Sequence, residues 1–424
     1  MTTASLSTTR RGFLAGSAAA GASLFLPATS HAEADASAIS PFAIDVSGVA
    51  IDDLRQRLRS ARWPEKETVS DDSQGVPLDR LQPLLEYWGS DYDWRKVESE
   101  LNALPMFTTE IDGLGIHFIH VRSPHEGALP MIMTHGWPGS ILEFTKVIGP
   151  LSDPTKHGGK AEDAFHLVIP SIPGFGFSGK PSRPGWGSDR IGRAWAVLMQ
   201  QLGYSRYVSQ GGDCGSVISQ RMALQDVPGL IGIHLTMPGI VPKEIATILT
   251  AGGAAPPSLS DKERAAFDKL DAFYKNSSGY AAMMVTRPQT IGYSLLDSPV
   301  GLAAWMYDKF ATWTDSGGNP ERVLTKDEML DDISLYWFTQ TAASAARIYW
   351  EDHSNNFNAV SIPALPVAVS VFPGEIYQAP RTWTERCYGN LVYFNEVDKG
   401  GHFASWEQPA LFTAEVRAAF RSMR

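Results

Sequence analysis

Gly211-Gly212-Asp213-Cys214-Gly215-Ser216 stands between a short apolar run at 207–210 and a helical segment at 217–224. In a strand-to-helix turn of this kind the middle residue takes strained backbone angles and its side chain projects above a sheet, so only small residues fit on either side of it. A turn with glycines at 211 and 215 can also be merely tight. What separates the two readings is whether the chain carries the partners that a projected nucleophile needs, and whether a sheet surrounds the turn.

Outward from the turn, short apolar runs at 130–134, 166–172, 207–210, 230–237, 366–372 and 390–395 alternate with helical segments. Such runs are the pattern of a mainly parallel sheet covered on both faces by helices. Ahead of them, 108–111 and 116–121, joined through 112–115, read as an antiparallel hairpin. The order resembles the α/β-hydrolase fold. Residues 106–237 and 360–424 are expected to build its core. Residues 238–359 interrupt the sheet with helices, two of them announced by capping boxes at Ser260/Glu263 and Thr325/Glu328, and form a lid candidate. A helical region at 33–105 precedes the core. In it Ile51, Leu54 and Leu58 make one apolar stripe, and Trp94, Val97, Leu101 and Leu104 another.

Three partners accompany Asp213. His135-Gly136-Trp137-Pro138-Gly139-Ser140 follows the run at 130–134, where the Trp137 amide, with that of Cys214, can face an oxygen that turns negative during attack on an ester. His135 reads as part of that turn rather than as a base. His402, in Gly400-Gly401-His402-Phe403 after the last run, is the expected base, because His117, His120, His166 and His234 lie within strand-like runs. The run at 366–372 ends in Pro373-Gly374-Glu375, making Glu375 the preferred carboxylate to orient the imidazole, ahead of Asp398 and Asp352. The chain order of nucleophile, acid and histidine is the hydrolase order.

These four motifs, together with Asp297-Ser298-Pro299-Val300-Gly301-Leu302-Ala303-Ala304-Trp305, resemble the microsomal-type epoxide hydrolase family. The resemblance implies that Tyr280 and Tyr349, in the lid, donate protons to the opening epoxide, with Tyr293, Tyr307 and Tyr336 as substitutes. One position departs from the family pattern, since Cys214 stands where tryptophan is common. An aspartate nucleophile suits a saturated carbon bearing a leaving group, because it forms an alkyl ester that must then be hydrolysed. The expected reaction is epoxide opening to a vicinal diol. A haloalkane dehalogenase-type hydrolase and an inactive ligand-binding homologue are the alternatives. Neither metal nor organic cofactor is expected, since no cluster has ligand spacing and no phosphate loop appears.

The start of the chain has its own character. Thr8-Thr9-Arg10-Arg11-Gly12-Phe13-Leu14, an apolar stretch to Leu26 and Ser30-His31-Ala32 resemble a twin-arginine export signal over 1–32, cleaved after Ala32. The mature protein is then expected in the periplasm or outside the cell, with no stable membrane anchor. The 424 residues are 19% charged, carry two cysteines and have a net charge of −10, which becomes −12 once Arg10 and Arg11 leave. That composition excludes a disordered chain and a disulfide scaffold, and the acidity disfavours nucleic acid as a partner. The expected partners are a small apolar epoxide and water.

Overall fold

The computed structural model describes residues 38–353, 361–362 and 364–424; the expected export signal and the residues 354–359 that close the expected lid lie outside them. Nine strands make one sheet: β1 (Ser40–Pro41), β2 (Met106–Ile111), β3 (Leu114–Val121), β4 (Leu129–Thr134), β5 (Phe165–Pro170), β6 (Tyr207–Gly211), β7 (Leu230–Leu235), β8 (Val367–Val371) and β9 (Leu391–Glu396), in the spatial order β1-β2-β3-β5-β4-β6-β7-β8-β9. The six strands from β5 to β9 pair in parallel, and β1, β2 and β3 add an antiparallel flank. The central strands β6 and β8 are buried along their whole length, whereas the edge strand β9 is half exposed. That contrast is what helices on both faces of a sheet produce.

The hairpin turns more tightly than the sequence suggests. Only Asp112 and Gly113 form the turn, both with left-handed backbone (φ 53° and 76°), so that Leu114 and Gly115 already belong to β3. Two consecutive left-handed residues match the natural twist of the paired strands. Strand β1 has only two residues, too short to show a pattern in sequence. The helix after the turn at 211–216 begins at Asp213 itself, not at Val217.

Among the described residues between β7 and β8 lie seven α-helices: Lys243–Thr250, Asp261–Asn276, Gly279–Thr286, Pro288–Asp297, Pro299–Trp313, Lys326–Thr339 and Ala342–Asp352. Both capping boxes form. The N-terminal helices Gly48–Arg59, Leu78–Ser90 and Trp94–Asn102 lean on this group through Trp88, whose indole donates to Ser334 Oγ at 2.9 Å, and through Tyr92, whose hydroxyl donates to Asp331 at 2.8 Å. Leu54, Trp94, Val97 and Leu101 are buried; Leu104 follows the end of its helix and is half-buried. Among the described residues no helix is long and apolar enough to cross a membrane.

The packing around the turn leaves no room for side chains beside Asp213. A Cβ at Gly215 would stand 1.9 Å from the carbonyl oxygen of Thr134, at the end of β4, and one at Gly211 would stand 2.2 Å from the Gly215 carbonyl. Both obstacles are backbone, which cannot swing aside. Gly215→Ala is therefore expected to cost about 3 kcal/mol and to lower Tm by several degrees in thermal denaturation. Gly115→Ala, which meets nothing within 4 Å, is the control that should leave Tm unchanged.

Candidate active site

Asp213 is the first residue of the helix Asp213–Leu224 and has a left-handed backbone, φ 48°. An aspartate in that region is strained, and the fit of β4 and β6 around it holds the conformation. The residue is only 8% exposed, and Oδ1 accepts the Trp137 amide at 2.9 Å. The loop that supplies this donor comes close enough that a Cβ at Gly136 would lie 2.3 Å from Oδ1. The Cys214 amide belongs to the first helical turn, whose N–H groups have no acceptor within the helix. Burial, followed by the charge of Asp213, pushes the Cys214 thiol well above its usual range. Cys214 and Cys387 are both thiols, so no disulfide joins them.

His402 and Glu375 arrive on loops after β9 and β8. Glu375 Oε1 lies 2.7 Å from His402 Nδ1, and His402 Nε2 lies 3.6 Å from Asp213 Oδ2. Burial alone would lower the imidazole, but the carboxylates of Glu375, Asp213 and Glu143 outweigh it and raise His402 to about 9. The two loops are stitched together, with the Gly374 amide donating to the Gly400 carbonyl at 2.9 Å.

Tyr280 and Tyr349 reach the same place from the helices Gly279–Thr286 and Ala342–Asp352. The Tyr280 ring stacks on Trp137, centroids 5.1 Å apart and planes 12° apart, and lies 6.2 Å from the Tyr349 ring at a steep angle. Burial, first, pushes both phenols well above their ordinary value, which keeps them protonated donors at neutral pH.

All seven expected site residues therefore converge. The weaker candidates stand elsewhere. Asp352 accepts the Ser188 amide at 2.8 Å and caps a helix, while Asp398 is exposed. Tyr293 is 70% exposed, Tyr307 is buried in the core on the helix Pro299–Trp313, and the Tyr336 hydroxyl donates to the Gly139 carbonyl at 2.9 Å, bracing the loop of Trp137. His135 is buried, held down to about 4 by desolvation, and its Nε2 accepts the Ile172 amide at 3.2 Å. That is a structural role.

Four residues in and around the site escaped sequence reasoning. The His402 amide donates to the Trp313 carbonyl at 2.8 Å, and the Trp313 ring packs 4.9 Å from the imidazole. Asp315 Oδ2 accepts the Gly400 amide at 2.9 Å. The Glu407 carboxylate accepts the amides of Asp315, Gly401 and Phe403, at 2.8, 3.2 and 3.1 Å, tying the histidine loop to the lid. Glu143 is pushed up to about 8 chiefly by burial, and its Oε1 has no hydrogen-bond partner. A lone acid within Phe403-Ala404-Ser405-Trp406-Glu407 was the available signal for Glu407. No group of three or more metal-ligating side chains occurs among the described residues.

Comparison with known proteins identifies the family and the fold. Residues 39–144 match the family described as epoxide hydrolase N terminus, and 130–409 match the α/β hydrolase fold. Epoxide hydrolase 1 of Sus scrofa is 36% identical over 92% of this chain and 90% of its own. Juvenile hormone epoxide hydrolase from the silkworm Bombyx mori superposes with TM-score 0.81 at 29% identity, covering 92% of this chain and 95% of that one. The Aspergillus niger epoxide hydrolase superposes with TM-score 0.79 at 31% identity, covering 91% and 97%.

The loop of Trp137 rests on a second buried acid, Asp332, whose Oδ1 accepts the Ser140 hydroxyl at 2.6 Å. Burial raises Asp332 to about 8, so the folded state favours its neutral form. A carboxyl raised on folding contributes stability that is complete below its unfolded value near 4 and is lost as pH rises through 8. Asp332→Asn removes that loss. Relative to wild type, its stability in urea denaturation is expected to improve by about 3 kcal/mol between pH 6 and pH 9; an unchanged difference would contradict the assignment.

Proposed function

The chain belongs to the epoxide hydrolase family, whose reaction opens an epoxide to a vicinal diol, and we propose that it carries this out through an ester on Asp213. The observation that carries the mechanism is the placement of the Asp213 carboxylate, anchored at Oδ1 by the Trp137 amide and facing His402 through Oδ2, in the same buried site as the neighbouring rings of Tyr280 and Tyr349. Asp213 attacks one carbon of the ring while Tyr280 and Tyr349 protonate the departing oxygen. His402, oriented by Glu375, then draws a proton from water, which attacks the ester carbonyl. The amides of Trp137 and Cys214 stabilise the oxyanion.

The raised basicity of His402 fits this order of steps. While Asp213 is ionised, its charge favours the imidazolium. Ester formation removes that charge, so the imidazole releases its proton more readily at the moment a base is needed. The aromatic rings of Trp137, Trp305, Trp313 and Tyr280 around the nucleophile favour a small apolar epoxide. We also infer export by the segment 1–32, supported by its paired arginines, apolar stretch and small-residue ending. Replacing Arg10 and Arg11 by lysine should then retain full-length protein in the cytoplasm, as read by cell fractionation and intact mass.

A single turnover in heavy-oxygen water is expected to yield unlabelled diol and to leave label in Asp213. Label in the first product would contradict the covalent route, and halide released from an alkyl halide without diol from any epoxide would favour dehalogenation. His402→Ala should accumulate the ester, visible as an added mass of one substrate on the intact protein.

A further inference from the structure

The helix Pro299–Trp313 carries a cation that the steps above leave unused. Lys309 is the only lysine or arginine in this helix of aromatic and aliphatic residues. Its side chain is 8% exposed, and its ammonium lies 4.5 Å from the centroid of the Tyr280 ring and 5.5 Å from that of Trp313. Its carboxylate partner is Asp308, its own neighbour in sequence, with a side chain 31% exposed. Removing an ammonium from water is unfavourable, and an ion pair between neighbours could form as well at the surface. The burial therefore places the charge at the tyrosine, not merely at Asp308.

We propose that Lys309 acts through Tyr280, making it the proton donor of the tyrosine pair by stabilising the phenolate that forms as the epoxide opens. Lys309 is thus a positioning residue, since it does not touch substrate. The inference rests on the ring-opening reading and follows the charge through it. An Asp213 oxygen forms a bond to the ring carbon, the carbon–oxygen bond of the epoxide breaks, and its electron pair takes the Tyr280 proton. The negative charge that began on Asp213 is then on Tyr280. Water next adds to the ester carbonyl, giving one proton to His402. The alkoxide leaves with that proton as the second hydroxyl of the diol. The proton remaining on the Asp213 carboxyl returns to Tyr280.

Other groups around Tyr280 oppose such a charge. Asp213, Cys214 and Glu375 each make its ionisation harder, on top of burial. Asp213 loses its own charge on forming the ester, so its opposition disappears in the state where the phenolate exists. Tyr349, whose ring lies 6.2 Å from that of Tyr280, favours ionisation of Tyr280, whereas Tyr280 disfavours that of Tyr349. Tyr349 works in the same direction as Lys309. A cation within 6 Å of an aromatic ring is attracted to its electrons, and the attraction grows when the ring carries a negative oxygen.

The test separates the two chemical steps in Lys309→Met, Lys309→Gln and Lys309→Arg. Ester formation and ester hydrolysis are followed by rapid quench and intact mass, with 1,2-epoxybutane and with 1,2-epoxy-3,3,3-trifluoropropane, whose alkoxide is far less basic. In the neutral variants ester formation from epoxybutane is expected to slow by roughly 10-fold or more. Hydrolysis of the ester should stay near the wild-type rate, the trifluoro epoxide should lose less, and Lys309→Arg should recover most of the loss. Having two neutral variants guards against one that fails to fold. Equal slowing of both steps, equal loss with both epoxides, or no slowing in the folded neutral variants would overturn the assignment of Lys309. If the wild type formed no ester with either epoxide, the ring-opening reading would fail first, which distinguishes the two failures.

Discussion

The left-handed backbone of Asp213 is the constraint on which the rest of the site depends. At φ 48° the carboxylate stands at the end of β6 instead of continuing into the helix wall. The conformation is held by contacts that tolerate no atoms beyond hydrogen: Gly215 against the Thr134 carbonyl, Gly211 against Gly215, and Gly136 against the carboxylate itself. Because β4 and β6 are parallel neighbours with Thr134 opposite Gly211, the loop that follows β4 must pass over the turn that follows β6. The Trp137 amide meets Asp213 as a consequence of sheet register.

Around that centre the charges are arranged for a sequence of states. The imidazole is raised by the neighbouring carboxylates and, in the proposed mechanism, relaxes once Asp213 is esterified. The two phenols are kept protonated by burial, and the lysine lies where that mechanism delivers the displaced charge. Glu143, Asp332 and Glu407 are all pushed up by burial. Glu407 accepts amides of the lid and the histidine loop, and Asp332 accepts the hydroxyl of Ser140 in the oxyanion loop. They are supports whose protonation follows from the dry interior that catalysis uses.

The lid does more than cover. Its segment Trp313–Asp315 is bonded to the histidine loop through the Trp313 carbonyl, through Asp315 and through Glu407, while the Trp313 ring touches His402, Tyr280 and Trp137. The N-terminal helices hold the lid in turn, through Trp88 on Ser334 and Tyr92 on Asp331. A change in lid packing is therefore felt by the base as well as by the proton donors.

The sequence by itself determined the parallel sheet, the helical interruption between β7 and β8, and the roles expected of Asp213, His402 and Glu375. Each is written in local chemistry: apolar runs of strand length, a capping residue three positions before its glutamate, and small residues flanking a carboxylate. Tyr280 and Tyr349 came only from family resemblance, since a tyrosine in a helix looks alike whether it packs or donates. What only the tertiary structure decided is which distant groups share a space. Asp315, Glu143 and Lys309 have no neighbours in sequence that mark them, Glu407 is marked only as a lone acid in an aromatic stretch, and their roles follow from burial and distance once the lid and loops meet. A buried charge becomes meaningful only when its surroundings are known, because desolvation and nearby opposite charges, not the residue type, set what it does.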